Sequence, residues 1–224
     1  MCGRFTFHRP IDEIRALFGA RNPPPNVAPT WNMAPTRLAP VLRRHPDSGE
    51  RHLDLLRWGL LPHWAKDPAK LRQPINARSE TAATAPMFRD AFVRRRCLVP
   101  ADEFYEWQAL DGAKLPHAVA RADGAMFAFA GLWEGWRSPD GEVVRSFVIL
   151  TTEAAPALRV LHERMPVVLE PADWPLWLGE ADGDFAGLLR TSTAKLRIWP
   201  VATRVNNVRN DDASLIAPLG AGPF

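Results

Sequence analysis

Proline limits this chain more than any other residue. Twenty-two of its 224 residues are Pro, scattered from Pro10 to Pro223. Each one fixes φ and lacks an N–H, so it is costly in helix interiors and at ladder positions that need a donor. Scattered this way, the prolines punctuate many short elements rather than mark one hinge. No repeat or low-complexity linker interrupts the chain, and 46% of it is apolar, enough for one sizeable core. The expectation is one compact domain over residues 1–224.

Apolar periodicity then places the elements. Residues 10–18 read as a helix, with Ile11, Ile14, Leu17 and Phe18 on one face and Gly19 as its stop. Residues 22–37 are a Pro/Asn-rich loop. Strand patterns follow at 38–43, 51–58 and 96–107, then at 116–121, 125–132 and 143–151. Thr84 is placed to cap a short helix carrying Met87, Phe88, Ala91 and Phe92, with Pro86 in its first turn. A helix over 154–163 is expected to run into a strand at 165–169, followed by a short helix near 172–178 and a last strand at 198–202. Many short strands with a few helices inserted imply an α+β fold whose core is an antiparallel sheet or open β-barrel.

Charge excludes little. The 28 basic residues nearly balance 25 acidic ones, and a net +3 is a weak bias toward anions. Only Lys66, Lys70, Lys114 and Lys195 are lysines. The arginine excess suits forked phosphate binding, although a GC-rich genome produces the same bias. Arg4, His8, Arg9, Asp12 and Glu13 break up any apolar leader, and no run is long enough to span a bilayer. A soluble, cytoplasmic monomer is expected. Two cysteines and six histidines without metal-site spacing imply no metal and no other cofactor.

Cys2 is the first residue that can carry chemistry. Methionine aminopeptidase accepts a small second residue, so loss of Met1 leaves a 1,2-aminothiol. An α-amine with a reference pKa of about 7.7–8.0 and a thiol near about 8.5 are both partly nucleophilic at neutral pH. An aldehyde condenses with the amine to an imine, and the thiol then closes a thiazolidine. Gly3 permits close backbone approach, and Arg4 is expected to favour thiolate and to hold an anionic substrate. In the run Pro74–Glu80, Asn76 is a hydrogen-bonding candidate and Arg78 a phosphate ligand; a capped helix start is the plain alternative. Asp102, Glu103 and Glu106 lie among aromatics on an apparent strand, with Asp102, Phe104 and Glu106 on one face. A carboxyl packed against rings can act as a general acid or base. His162 is a candidate proton shuttle and Arg164 a phosphate ligand. Trp31, Trp58, Trp64, Trp107, Trp133 and Trp136 are candidates for base stacking, with core filling the commoner use. The 58–64 segment is read as a turn with exposed rings at its ends. Cys97 is assigned to the core.

Several segments together carry a resemblance. They are MCGRFT at 1–6, WNMAPT at 31–36, RWGLLPHWA at 57–65, INARSET at 75–81, RCLVPADEFYEW at 96–107, HERMPVVL at 162–169 and WPVATRVNNVRNDDASLI at 199–216. In this order the chain resembles the SRAP family (SOS response-associated peptidase), abasic-site processing proteins. The resemblance implies the SRAP fold and a partner in single-stranded DNA carrying an abasic site, whose open sugar is an aldehyde. It implies that Cys2 forms the imine and thiazolidine and that Asn76 hydrogen-bonds the linkage or the sugar. It singles out Glu106 as the acid/base and His162 as the proton shuttle. Arg4, Arg78 and Arg164 are implied to bind flanking phosphates, Trp64 to contact DNA, and Met87, with Phe88 beside it, to wedge at the lesion. AP-lyase activity through the imine is a further implication. The Asn-rich tail at 199–216 is taken to close the sheet rather than to build a site. Two alternatives stay open: an N-terminal-nucleophile peptidase acting through Cys2, and a noncovalent single-strand binder.

Overall fold

The computed structural model describes residues 2–220. Among these residues, twelve strands carry the fold. They are β1 (Phe5–Phe7), β2 (Thr30–Met33), β3 (Leu38–Arg44), β4 (Arg51–Trp58), β5 (Asn76–Arg78), β6 (Arg96–Ala101), β7 (Glu103–Leu110), β8 (Ala113–Arg121), β9 (Phe127–Arg137), β10 (Val143–Glu153), β11 (Arg164–Pro166) and β12 (Leu196–Pro200). Four helices accompany them: α1 (Ile11–Phe18), α2 (Ser79–Ala82), α3 (Arg89–Arg94) and α4 (Trp174–Leu178).

The larger sheet closes on itself. Its order runs β10-β4-β3-β6-β9, and β9 pairs back onto β10 through seven registered pairs. Five strands thus form a barrel, and one of its seams, β10 against β4, is parallel. The expected α+β architecture holds, with a barrel that is closed and mixed. Closure removes the edges that an open sheet would have to protect. Beyond the barrel, β10 continues to pair, with β5 in parallel at Ile149–Thr151 and with β11 antiparallel at Thr151–Glu153. The second sheet is antiparallel in the order β12-β8-β7-β1-β2.

Asp102 joins the two sheets. The expected single strand 96–107 is two strands, one in each sheet, with the break at this residue. Its Oδ2 accepts from the His8 N–H at 2.7 Å, and its Oδ1 accepts from Arg9 Nε at 2.9 Å. Those bonds hold the chain where it leaves the barrel. Asp102 therefore does not share a strand face with Phe104 and Glu106. Glu103 is buried and accepts from the Thr6 hydroxyl at 2.5 Å.

Phe5, Phe104, Phe127 and Phe129 fill the space between sheet and barrel, with edge-to-face ring contacts at 5.6 and 5.8 Å from Phe104. Trp58 is fully buried and packs edge-on against Phe5 at 5.0 Å, so it is core and not an exposed ring. Trp133 is likewise buried, and Cys97 lies in the core as expected.

Two expected helices differ. Of 154–163, only Pro156–Leu158 is helical, as a single 3-10 turn. Leu158 and Leu161 are buried there beside Ala154 and Ala155, and the i,i+3 spacing of the two leucines is the 3-10 period. Past the turn, the Ala154 N–H takes the Glu163 carbonyl at 2.9 Å and pulls the segment toward the β10–β11 ladder. Thr84 caps no helix: its hydroxyl donates back to the Thr81 carbonyl, and α3 begins only after Phe88, burying Ala91 and Phe92. No helix among the described residues is long and apolar enough to cross a membrane.

Candidate active site

Strands β1, β5 and β7 assemble the site. Cys2 lies three residues before the start of β1 and is fully buried. Its carbonyl accepts from Asn76 Nδ2 at 2.8 Å, across 74 positions of sequence. Asn76 opens β5, where it sits in register beside Ile149 of β10. The amide oxygen on the other side of Asn76 is buried and has no hydrogen-bond partner among the described residues. An acceptor left open at this depth is costly unless something else supplies the donor.

Glu106 lies on β7, buried and on the same strand face as Phe104, which packs into the main core. Burial raises its carboxyl above the usual carboxylate range. Burial also raises the Cys2 thiol, and the neighbouring Glu106 charge adds to the rise. The thiol is therefore neutral at physiological pH. This reverses the expectation that Arg4 would favour thiolate.

Arg4 is tied elsewhere. Its Nη1 donates to Asn32 Oδ1 at 2.7 Å and to the Val205 carbonyl at 2.8 Å, and its guanidinium lies 6.0 Å from the Trp107 ring centroid. Asn32, fully buried on β2, donates through Nδ2 to the carbonyls of Val205, Asn207 and Asn210 at 3.3, 3.1 and 2.8 Å. The tail is thus held against β1 and β2, and Asn206 Oδ1 accepts from the Trp107 indole at 2.7 Å. A cleft of about 570 Å³ opens here, walled by Arg4, Glu106, Trp107, Lys114, His162 and Asn206. The tail therefore does two things. β12 extends the sheet as expected, and the turn after it builds a wall of the cleft, which sequence reasoning missed.

His162 faces this cleft from the loop before β11. Its Nδ1 accepts from the Arg164 N–H at 2.9 Å. That bond fixes the neutral ring as the Nε2–H tautomer. Burial also holds His162 below its ordinary value. His162 is thus a neutral N–H donor, and protonating it at Nδ1 requires breaking the bond to Arg164.

The proposed phosphate ligands separate. Arg164 is committed to protein, with two bonds to the Glu80 carboxylate at 2.6 and 2.9 Å and one to the Thr151 carbonyl at 2.5 Å. The same fork holds Glu80 below the usual carboxylate range. Arg78 is exposed beside Arg164 in a neighbouring cleft that also contains Arg159. Trp64 is 45% exposed, and Met87 is half-buried against the core; neither lines the cleft of Glu106 and His162. Met1 lies outside the described residues.

With this geometry in view, the comparisons decide the family. A profile described as SOS response associated peptidase (SRAP) matches residues 1–208. The chain belongs to the SRAP family. It is 36% identical over 223 residues to a Bacillus subtilis (strain 168) protein named abasic site processing protein YoqW, covering 96% of this chain and 99% of that one. It is 32% identical over 231 residues to the Gallus gallus protein named abasic site processing protein HMCES, covering 87% of this chain and 67% of the relative. A solved structure from Bacteroides thetaiotaomicron superposes with a TM-score of 0.87 at 21% identity, over 97% of this chain and 99% of that one, and shares the fold. Another, from Bordetella bronchiseptica, gives 0.77 at 30% identity, over 90% and 100%. Within an SRAP chain, the cleft carrying Glu106 and His162 next to Cys2 is the candidate centre.

Proposed function

We propose that this SRAP protein processes abasic sites in single-stranded DNA by covalent capture through Cys2, once Met1 is removed. The observation that carries the reading is the Asn76 amide bond to the Cys2 carbonyl, which fixes the future N-terminal residue beside the buried Glu106. The names of the relatives supply the substrate: an abasic sugar, whose open form is an aldehyde.

The chemistry balances without a cofactor. The Cys2 amine attacks C1′, and a C–N bond forms. Glu106, whose carboxyl is raised above the usual carboxylate range by burial, gives a proton to the departing hydroxyl, and water leaves with formation of the imine. The thiol sulfur then adds to the same carbon while its proton passes to the imine nitrogen through the Glu106 carboxylate. The product is a thiazolidine. His162 donates its Nε2–H to the sugar oxygen during ring opening, and the open Asn76 oxygen accepts from the amine or a sugar hydroxyl. Because the thiol is neutral before reaction, the amine acts first. β-Elimination from the imine, before the sulfur closes, gives strand cleavage as a side path.

A denaturing gel tests the reading. Protein lacking Met1 is incubated with a single strand carrying one abasic site, without borohydride. A shifted band that Cys2→Ser removes is the expected result. Retention only on a native gel, with no denaturation-stable band, makes the protein a noncovalent binder and overturns the proposal.

A further inference from the structure

A second basic surface lies outside the cleft of Glu106 and His162 and shares no lining residue with it. Its centre is a cleft of about 630 Å³ lined by Arg44, Arg94, Arg95 and Arg96, with His45 at its side. No carboxylate lines this cleft among the described residues. Two further clefts continue from it, one sharing Arg94 and Arg95, the other sharing Arg95 and Trp133 and adding Arg43 and Arg145. The result is a groove rather than a single pit.

Two of the guanidiniums, those of Arg44 and Arg96, are held in place by groups that carry no charge. Arg44 donates to the carbonyls of Gly49 and Gly179 at 3.2 and 2.6 Å. Arg96 donates to the carbonyls of Trp177, Phe92 and Val93 at 2.5, 3.1 and 2.7 Å and lies 3.8 Å from the Phe185 ring centroid. Gly179 leaves Arg96 its room, because a Cβ there would sit 3.0 Å from Arg96 Nη2. Carbonyl bonds orient a guanidinium and leave its charge uncompensated. Acids do neutralise part of the groove: Arg95 pairs with Glu134 at 2.7 Å and Arg43 with Asp54 at 2.6 Å. Asp47 and Asp90 lie along the side clefts, and Asp90 is 3.9 Å from His63. Arg94 and Arg145 are exposed, and among the described residues neither pairs with these acids.

We propose that this groove binds the phosphodiester backbone of the DNA strand beyond the lesion. The inference rests on the reading that the chain works on DNA. A run of arginines along linked clefts matches a repeating anion, whereas one phosphate would fill only one of them. Trp133 is buried, so the surface offers forks for phosphates and no exposed tryptophan for bases. Binding here is therefore independent of sequence and steep in salt.

The test uses the full chain and undamaged DNA, so that the groove is read apart from lesion chemistry. The double variant Arg94→Glu/Arg145→Glu is compared with the parent by fluorescence anisotropy on a long undamaged single strand across a salt series. Circular dichroism confirms that both fold. The expected result is roughly tenfold weaker binding and a salt slope shallower by about 1.4, which is two phosphate contacts at about 0.7 each for single strands. Arg94→Lys/Arg145→Lys restores both. A short abasic oligonucleotide, reacting at the Cys2 cleft alone, is captured equally well by parent and variant. Unchanged affinity and slope in the Glu variant overturn the proposal. So does a folded Lys variant that fails to restore binding, or a groove that takes inorganic phosphate but gives the long strand no advantage. Failure of the parent to capture the short abasic strand strikes the proposed function instead and leaves the anisotropy result standing.

Discussion

Asn32→Ala probes the least visible part of the site. Asn32 is fully buried and has two amide hydrogens to share among three tail carbonyls at 2.8, 3.1 and 3.3 Å. Its oxygen takes the charged Arg4 donor at 2.7 Å. Two neutral bonds at about 1 kcal/mol each and one charge-assisted bond at about 2 kcal/mol put the loss near 4 kcal/mol. Some of that is recovered, because Asp211 still anchors the tail through the Thr30 hydroxyl at 2.7 Å and the Trp31 N–H at 2.6 Å. A net destabilisation of about 2–4 kcal/mol is expected, a large share of a typical domain's stability. Urea unfolding at neutral pH measures it, with an unchanged m-value marking a folded start. The wall carrying Asn206 and Arg4 loosens with the tail, so capture of an abasic strand slows as well. A loss below about 1 kcal/mol with full capture rate would refute the claim that Asn32 holds the tail to the cleft.

Other perturbations read other parts of the account. Glu106→Gln slows capture by about 10²–10⁴-fold in a quench-flow or gel time course, the usual range for a lost acid/base. Its stability effect has a definite sign. The Glu106 carboxyl is raised in the fold, so the folded state holds its proton longer than the unfolded chain, and the parent loses stability as pH rises from the ordinary carboxylate range through that raised value. The Gln variant lacks this loss, so its Tm relative to the parent climbs with pH over that window. His162→Gln, which keeps an N–H donor, retains more capture rate than His162→Ala, and in the parent the reaction persists above the His162 titration, since the neutral ring is the working form. Equal rates for the two variants would remove the donor role. Gly131→Ala places a Cβ 2.9 Å from Cys97 Sγ and 3.0 Å from the Val148 carbonyl, inside the closed barrel. It costs about 1–3 kcal/mol by denaturant unfolding, and a neutral result would mean that the β9–β10 seam gives way more easily than its packing implies.

What the sequence disclosed depended on element length. β4 falls where the apolar pattern puts it, and α1 starts one residue inside its expected range, because Ile14 and Phe18 bury one face and Gly19 takes the left-handed C-cap. Apart from β7, the strands that build the site are three or four residues long, too short for any period to register. β1, β2 and β5 are held by partners distant in sequence, as when Asn76 reaches the Cys2 carbonyl. Asp102 breaks what looks like one continuous strand because its carboxylate is held by His8 and Arg9, a contact that no local pattern records. Residue chemistry was more informative than periodicity. Cys2, Asn76 and Glu106 stand out by their functional groups and their resemblance to SRAP motifs, and the fold brings them to one place. Electrostatics was the weaker guide. Arg4 and Arg164 looked free for phosphate and are instead spent on Asn32 and Glu80. Asn206 and Lys114 carried no signal beyond polarity; only the folded tail and hairpin put them at the cleft.

The central claim is that one residue supplies both the amine and the thiol. The mass and thiol count of the adduct measure this most directly. Protein lacking Met1, reacted with an abasic strand, should gain the mass of that strand less one water. It should then show one alkylatable thiol after denaturation, Cys97 alone, and borohydride should add no hydrogen. An adduct of the same mass that still alkylates at Cys2, and that gains two hydrogens on reduction, is an open imine. That result would contradict thiazolidine closure and leave the Cys2 thiol without its proposed part.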